Sequence, residues 1–503
     1  MQRRQFLTTA TLAAAGAAVL PRGAFAQTSP AVSIPAVPHA SPFIVPPSTP
    51  GGTRARPLRL DPDIAELQRR TFDWFVHVTD RSTGLTPDRW PTPSFASIAA
   101  VGFALTCWPI GVSRGWMTRT EARERTLITL RFFAEAPQGP EATGKAGYKG
   151  FFYHFLDMQT GHRFAKCELS TVDTTLLVAG MLFAARFFDR AHADEVEIRR
   201  LAQMIYERIE WDWILPRANR VSMGWHPETG FIASDWSVYN EGMLLVLLAV
   251  GSPTHPVSPN AWHEWCWVYD QSWTDEWGPE HLHFAPLFGH QYSHLWADFR
   301  GIQDSWLRGK SGWLDQYFDY FENSRRAVYA QRKYAIDNAG GWAGYSADVW
   351  GLTACDGPGD FTQNAFGRDR EFFSYSARGP GDRDDGTLAP TAAASSLPFA
   401  PELVVPCVKA MKERYGAGIY TEWGFLDSFN PTLTERSGPL QHGKIVPGVG
   451  WVDGDYLGID QGPIVIMAEN HRSDFVWRLM RSEPNLRRGL ELSGFTGGWL
   501  DRA

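Results

Sequence analysis

Six stretches of this chain are apolar or small-residue almost throughout, and they alternate with stretches that are amphipathic. The apolar ones are residues 95–107 (FASIAAVGFALTC), 170–187 (STVDTTLLVAGMLFAARF), 237–250, 294–306, 387–397 and 457–469 (LGIDQGPIVIMAE). The others cover 61–79, 118–134, 193–211, 259–271, 313–336 and 400–415, with charges on one face. A helix that is apolar all round must be buried on every side, whereas an amphipathic helix covers a core with one face. Buried helices inside and half-exposed helices outside, repeated six times, describe an all-α fold, the (α/α)6 barrel. No alternating period-2 strands of comparable weight compete with this pattern. A closing pair at 473–481 and 484–494 is expected to add an outer helix and a tail.

The links ahead of the buried helices are long and rich in Trp, Tyr, Gly and His, so function is expected at the mouth where they gather. Three buried helices are expected to carry a carboxylate in the first turn there: Asp173 in STVDT, Glu241 in YNEG and Asp460 in GIDQGP. The helix dipole favours an acidic side chain at that position by roughly 0.3–1 kcal/mol, which accounts for any single one of them. Three on one cavity ask for more, because a desolvated carboxylate is costly without partners. Paired carboxyl groups suit glycoside hydrolysis, one protonating the leaving oxygen and the other activating water. A separation of ~6.5–9.5 Å inverts the anomeric centre, and ~5–5.5 Å retains it. The dipole lowers a carboxyl pKa while the general acid needs it raised, so apolar burial or neighbouring anions must outweigh it.

Composition narrows the partners. A net charge of −7 argues against nucleic acid or an anionic membrane. The 22 tryptophans supply flat faces that serve as core or stack on sugar rings. The five cysteines are odd in number and scattered, forming neither a disulfide framework nor a metal cluster, and read as buried free thiols. No stretch beyond the leader approaches the ~18 apolar residues of a membrane span. Arg3 and Arg4 ahead of Phe6-Leu7, a weakly hydrophobic run and Ala24-Phe25-Ala26 read as a twin-arginine export signal over 1–26, an ordinary secretory signal being the alternative. A proline-rich linker over 27–60 follows, then one helical domain over 61–503. The protein is thus expected to be exported, to the periplasm.

Other candidates carry a plain reading beside a functional one. His290 and His294 in HQYSH are spaced i, i+4, as a two-histidine metal face is, but no third ligand is evident. Hydrogen bonds to sugar hydroxyls or to core carbonyls are the better reading, and no metal or cofactor is expected. Arg378, Asp384 and Asp385 in ARGPGDRDDGT are substrate contacts or a solvated turn. Phe152, Tyr153, Trp236 and Tyr239 precede buried helices and floor a sugar groove or pack the core. Trp262, Trp265 and Trp267 read as core.

FFYHFLDMQTGHR, CELSTVDTTLL, WSVYNEG, GSPTHP, PLFGHQYSH, DFRGIQD, YFENSRRA, WGLTACDGPGD, DDGTLAPTAAASSLPFAPE and GIDQGPIVIMAENHR resemble the bacterial glucoamylase-like glycoside hydrolases, which include the endo-β-1,2-glucanases. The resemblance runs from about Leu67 to Phe495. It implies an (α/α)6 barrel and metal-free inverting hydrolysis of β-1,2-glucan to sophorooligosaccharides. By position it implies Glu241 as proton donor and Asp460 as the partner that activates water, with Asp173 and Glu168 lining the cleft. Gln291 and Gln461, inside the shared motifs, join the expected substrate contacts with His290, His294, Arg378 and Asp385. Extra residues near 308–316 and 431–456 are expected to reshape the cleft. Rival readings are a transglycosylase, a hydrolase of another β-glucan, and a non-catalytic periplasmic glycan-binding protein.

Overall fold

A computed structural model describes residues 56–436 and 438–502; the expected signal and most of the linker lie outside the described residues. The described chain is helix-rich. Its helices are α1 (Pro62–Val78), α2 (Ile98–Ser113), α3 (Arg119–Glu135), α4 (Thr171–Phe187), α5 (Ala193–Glu207), α6 (Met243–Gly251), α7 (Asn260–Cys266) and α8 (Tyr269–Ser272). They continue with α9 (Ser305–Leu314), α10 (Tyr320–Asp337), α11 (Pro390–Ala394), α12 (Pro401–Tyr415), α13 (Gly458–Ser473), α14 (Phe475–Met480) and α15 (Pro484–Leu492). The strands between them are no longer than five residues.

Helices α1 to α5, α12, α13 and the closing pair stand close to where the sequence pattern puts them. Three apolar segments differ, each for a local reason. Residues 237–242 form a turn, with Val238 at φ 60° and the Asn240 side chain bonded to Gly242 N and Ser237 O, so α6 starts only at Met243. Residues 294–304 build no α-helix; short 3-10 turns at Leu287–His290 and Tyr292–Leu295 lead into them, and α9 starts only at Ser305. There the Asp298 carboxylate takes its own Arg300 N–H and guanidinium, and Gly301 turns left-handed at φ 77°. Such side-chain-to-backbone bonds compete with the helical ladder. The segment 387–397 shrinks to the five residues of α11, because Leu388 is held extended by its two backbone bonds to Phe429 and Ala389 is extended as well, so the helix starts only at Pro390.

The apolar segments follow one another in a circuit. Helix α2 packs on α4, and α4 on α6. Ser293 Oγ donates to the Glu241 carbonyl and accepts from Leu244 N, tying the 3-10 turns to the start of α6. Gln291 Nε2 donates to Ala392 O in α11, Thr391 Oγ1 donates to Asp460 O in α13, and α13 packs back on α2. The amphipathic helices lean on these from outside, α1 on α13, α3 on α2, α5 on α4 and α12 on α11. The α2–α4 crossing is close because both contribute glycine. A Cβ on Gly102 would lie 2.3 Å from Leu176 O, and one on Gly180 would lie 2.1 Å from Gly102 O.

Short ladders knit the segments entering the buried helices. Ala96–Ser97, Leu169–Ser170 and Tyr456–Leu457 lead directly into α2, α4 and α13, and pair antiparallel with Phe155–Leu156, Gly224–Trp225 and Arg89–Trp90. Their backbone groups are thereby satisfied, and the first turns they feed are aimed by hydrogen bonds rather than by loop chance. All five cysteines are free and four are buried. Trp262 and Trp265 are core as expected, but Trp267 is 76% exposed, on the C-cap of α7 where the chain turns outward.

Candidate active site

The start of α4, the turn before α6 and the start of α13 open on one small pocket. Its polar wall is His154, Asp173 and Glu241; the rest is mostly apolar, with Val172, Leu176, Phe288, Tyr292, Ala354 and Ile459. A lining of that kind makes an ionised carboxylate costly and strengthens any interaction it makes.

Each polar group is held from a different element. Asp173 is the third residue of α4 and part of its cap: its N–H donates to Ser170 Oγ at 3.0 Å, and that hydroxyl donates back to the Asp173 carboxylate. The helix-start reading of Asp173 is therefore correct, yet the same side chain faces the pocket. Glu241 sits one residue ahead of the Gly242 N-cap, not within the first helical turn as the sequence suggested. It lies three residues after Val238, a β-branched residue held at φ 60°, a conformation costing about 1–3 kcal/mol. His154 joins two acids: its Nδ1 lies 2.9 Å from Glu168 Oε1 and its Nε2 lies 3.6 Å from Asp173 Oδ2. Glu168 thus stands behind the pocket wall rather than in it. Asp460 is buried in the first turn of α13, next to the lining residue Ile459.

The remaining sequence candidates are not brought to the pocket. His290 Nε2 pairs with Phe284 O, while His294 Nε2 lies 3.1 Å from Tyr239 Oη and 3.2 Å from Ser324 Oγ. Burial pushes the His294 imidazole down to about 3, so it is a neutral core residue. Gln291 donates to Ala392 O and Ser396 Oγ, and Gln461 donates to Phe425 O. Tyr239 is fully buried and stacks on Tyr320, and Trp236 donates its indole N–H to Thr171 Oγ1. Phe152 packs edge-on against Phe133, and Tyr153 lies under the Arg163 guanidinium. Arg378 and Asp385 form a two-bonded ion pair with neither side chain exposed. Each of these side chains is engaged within the fold, as buried polar groups of packed helices must be.

A second, larger cleft adjoins the pocket, and Tyr375 lines both. Arg89 lines it, its Nη1 2.6 Å from Asp356 Oδ2 and 3.8 Å from Asp455 Oδ2. Beside them, carboxylate oxygens of the buried Asp356, Asp427 and Asp453 all lie within 4.8 Å of one another, the one group among the described residues whose spacing could hold a metal ion. Burial, and then the charges of Asp356 and Asp427, push the Asp453 carboxyl well above the ordinary range. Sequence reasoning missed His154, Tyr375 and this cluster. The aspartates lie in WGLTACDGPGD, FLDSFNP and WVDGDY, which share no spacing, and only the strand pairing of Phe429–Asn430 with Trp451–Val452 unites two of them.

Fold and site together define a helix-rich, α/α-type protein whose buried pocket collects carboxylates from the starts of its apolar segments. The chain belongs to the Glycoamylase family, whose sequence model matches residues 233–484. It is 27% identical over 459 residues to an exo-β-1,2-glucooligosaccharide sophorohydrolase (non-reducing end) of Parabacteroides distasonis, covering 84% of this chain and 57% of that relative's length. Its fold is similar to that of the endo-β-1,2-glucanase of Chitinophaga pinensis in complex with sophorotriose and glucose, with a TM-score of 0.72 and 25% identity over 87% of this chain and 98% of that one. A β-1,2-glucanase of Parabacteroides distasonis matches with the same TM-score and identity over 86% of this chain and 60% of that one.

Proposed function

We propose that this protein is an exported inverting glycoside hydrolase that cleaves β-1,2-glucan to sophorooligosaccharides, built as an (α/α)6 barrel over 61–503. The observation that carries the reading is the convergence of Glu241 and Asp173 on one largely apolar pocket, in a chain similar to β-1,2-glucan hydrolases. The circuit of apolar segments supports the barrel. Export through the twin-arginine route rests on residues 1–26 and their paired arginines.

Glu241 is the proton donor: its placement outside the helical turn, among apolar side chains, suits a carboxyl that must hold a proton until the leaving oxygen arrives. Asp460 is the partner that activates water on the opposite face. A second assignment of that role, to Asp173, is favoured by the pocket, where Asp173 lines the wall and Ile459, not Asp460, represents α13. His154, between Glu168 and Asp173, orients that wall. Glu241→Gln keeps the size and the fold, and is expected to abolish release of reducing ends from linear β-1,2-glucan while binding persists. Full activity in that variant overturns the assignment. Asp173→Asn and Asp460→Asn, measured beside it, separate the two choices of base.

A further inference from the structure

Five carboxylates crowd one guanidinium near the strand that enters α13. Arg89 Nη1 lies 2.6 Å from Asp356 Oδ2 and 3.8 Å from Asp455 Oδ2, and its Nε lies 3.5 Å from Asp88 Oδ2. Asp356, Asp427 and Asp453 are at most 1% exposed, and one oxygen of each lies within 4.8 Å of the other two. The backbone fixes all three. Asp356 N donates to Asp427 Oδ2 at 2.9 Å, Ser428 Oγ donates to Asp356 O at 2.8 Å, and Asp453 N donates to Ser428 O at 3.0 Å. Asp356 spends Oδ2 on Arg89, and Asp453 spends Oδ1 on Gly454 N. The other oxygens of this pair, Asp356 Oδ1 and Asp453 Oδ2, are buried and meet no hydrogen-bond donor among the described residues. They are left for the space the three acids share. A buried carboxylate oxygen without a partner costs its full desolvation, and like charges packed together add repulsion. One guanidinium, already bonded to Asp356, does not offset that.

We propose that Asp356, Asp427 and Asp453 form a calcium site that ties the strand Ala354–Cys355 to the strands leading into α13. An all-oxygen set of ligands selects a hard cation. Three oxygens within 4.8 Å of one another can all reach one Ca²⁺, whose ligands stand ~2.3–2.6 Å away. Mg²⁺ holds its ligands at ~2.0–2.1 Å and keeps several waters, which suits one or two carboxylates rather than three. Asp356 also lines the outer cleft, so the ion and its water ligands have a way in. The role is structural. Asp427 lies just ahead of Phe429–Asn430 and Asp453 just after Gly450–Val452, strands that pair with each other, and Tyr456–Leu457 then enters α13. This departs from the sequence expectation that the protein takes no metal, and it does not depend on how the inner pocket is read.

The test strips the full chain with EGTA, exchanges it into metal-free buffer and titrates it with calcium chloride in a calorimeter, with Tm followed in parallel. One ion per chain is expected, with a Tm rise of about 3 °C at a hundredfold excess over Kd. Asp453→Asn keeps the size of the side chain and an acceptor for Gly454 N, and is expected to weaken calcium binding at least about tenfold. Asp427→Asn takes its place should that variant not fold. No binding heat and an unchanged Tm in the wild type overturn the site. Wild-type calcium affinity in the variant overturns it too, by placing the ion elsewhere. A Tm rise with magnesium chloride as large as that with calcium chloride overturns the choice of ion.

Discussion

Arg378→Met separates a structural role from substrate contact at a residue where the sequence left both open. In the folded protein Arg378 Nε and Nη2 donate to the two Asp385 oxygens at 2.8 and 2.9 Å. Nη1 donates to Cys355 O at 2.8 Å, and Nη2 also reaches Ser374 O at 3.0 Å and Phe373 O at 3.1 Å. Neither charged side chain has any exposure. Removing one member of a buried pair leaves the other uncompensated, at about 3–5 kcal/mol. The stranded carbonyls add to that, so the expected loss is at least about 4 kcal/mol, or a fall in Tm of roughly 4–5 °C for a chain of this size. Adding Asp385→Leu removes the lone charge and should recover part of the loss. Recovery stays incomplete, because Asp385 also accepts from Phe373 N and Thr387 N, both at 3.0 Å. Scanning calorimetry of the two single variants and the double variant, at one fixed scan rate, completes the cycle. A variant Arg378→Met with wild-type Tm and weakened glucan binding refutes the structural account and returns Arg378 to the substrate.

Acidification is expected to destabilise the protein below pH 6.5. Burial lowers His283 to about 4 and His294 to about 3. Above 6.5 their contribution is fully present, and it is lost as pH falls, because the unfolded chain takes protons that the folded one refuses. Each pH unit of that difference is worth about 1.4 kcal/mol per group. Asp319, pushed up to about 6 by burial, acts in the opposite sense between about 4 and 6, as do Asp304, Asp382, Asp384, Asp453 and Glu483, which burial also raises. His226, His281 and His290, lowered by burial, and Glu195 and Glu228, lowered by Arg119 and Arg163, add to the destabilising side. A Tm at pH 4.5 equal to that at pH 7 contradicts this. Gly180→Ala places a methyl 2.1 Å from Gly102 O and must part α2 from α4. Overpacking of that kind costs about 1–3 kcal/mol. A higher Tm, as expected if the ~1 kcal/mol helix preference of alanine prevailed, refutes the close crossing.

Helix type and order were legible because burial is written in periodicity. TLLVAGMLFAA has no polar face to give to water, so α4 has to be interior whatever surrounds it. The same rule made first-turn carboxylates conspicuous, and Asp173 and Glu241 do meet at one pocket. Periodicity could not tell that 294–304 folds without an α-helix, since that outcome turns on Asp298 binding its own Arg300 and on Arg481 arriving from α14's end, 183 positions away. Nor could it sort polar residues of shared motifs into those that face a cavity and those that close the ring. His294, Gln291 and Arg378 look like ligands in one dimension, and in three each bonds to buried groups of other segments.

By itself the sequence determined which segments must leave water, and hence that helices shield helices in this protein, because apolar transfer is additive along the chain and needs no knowledge of neighbours. Only the tertiary structure decided which acids meet. Electrostatic work falls off within a few ångströms, so the distance between Asp356 and Asp453 in space, not the 97 positions between them in sequence, sets what their carboxylates do.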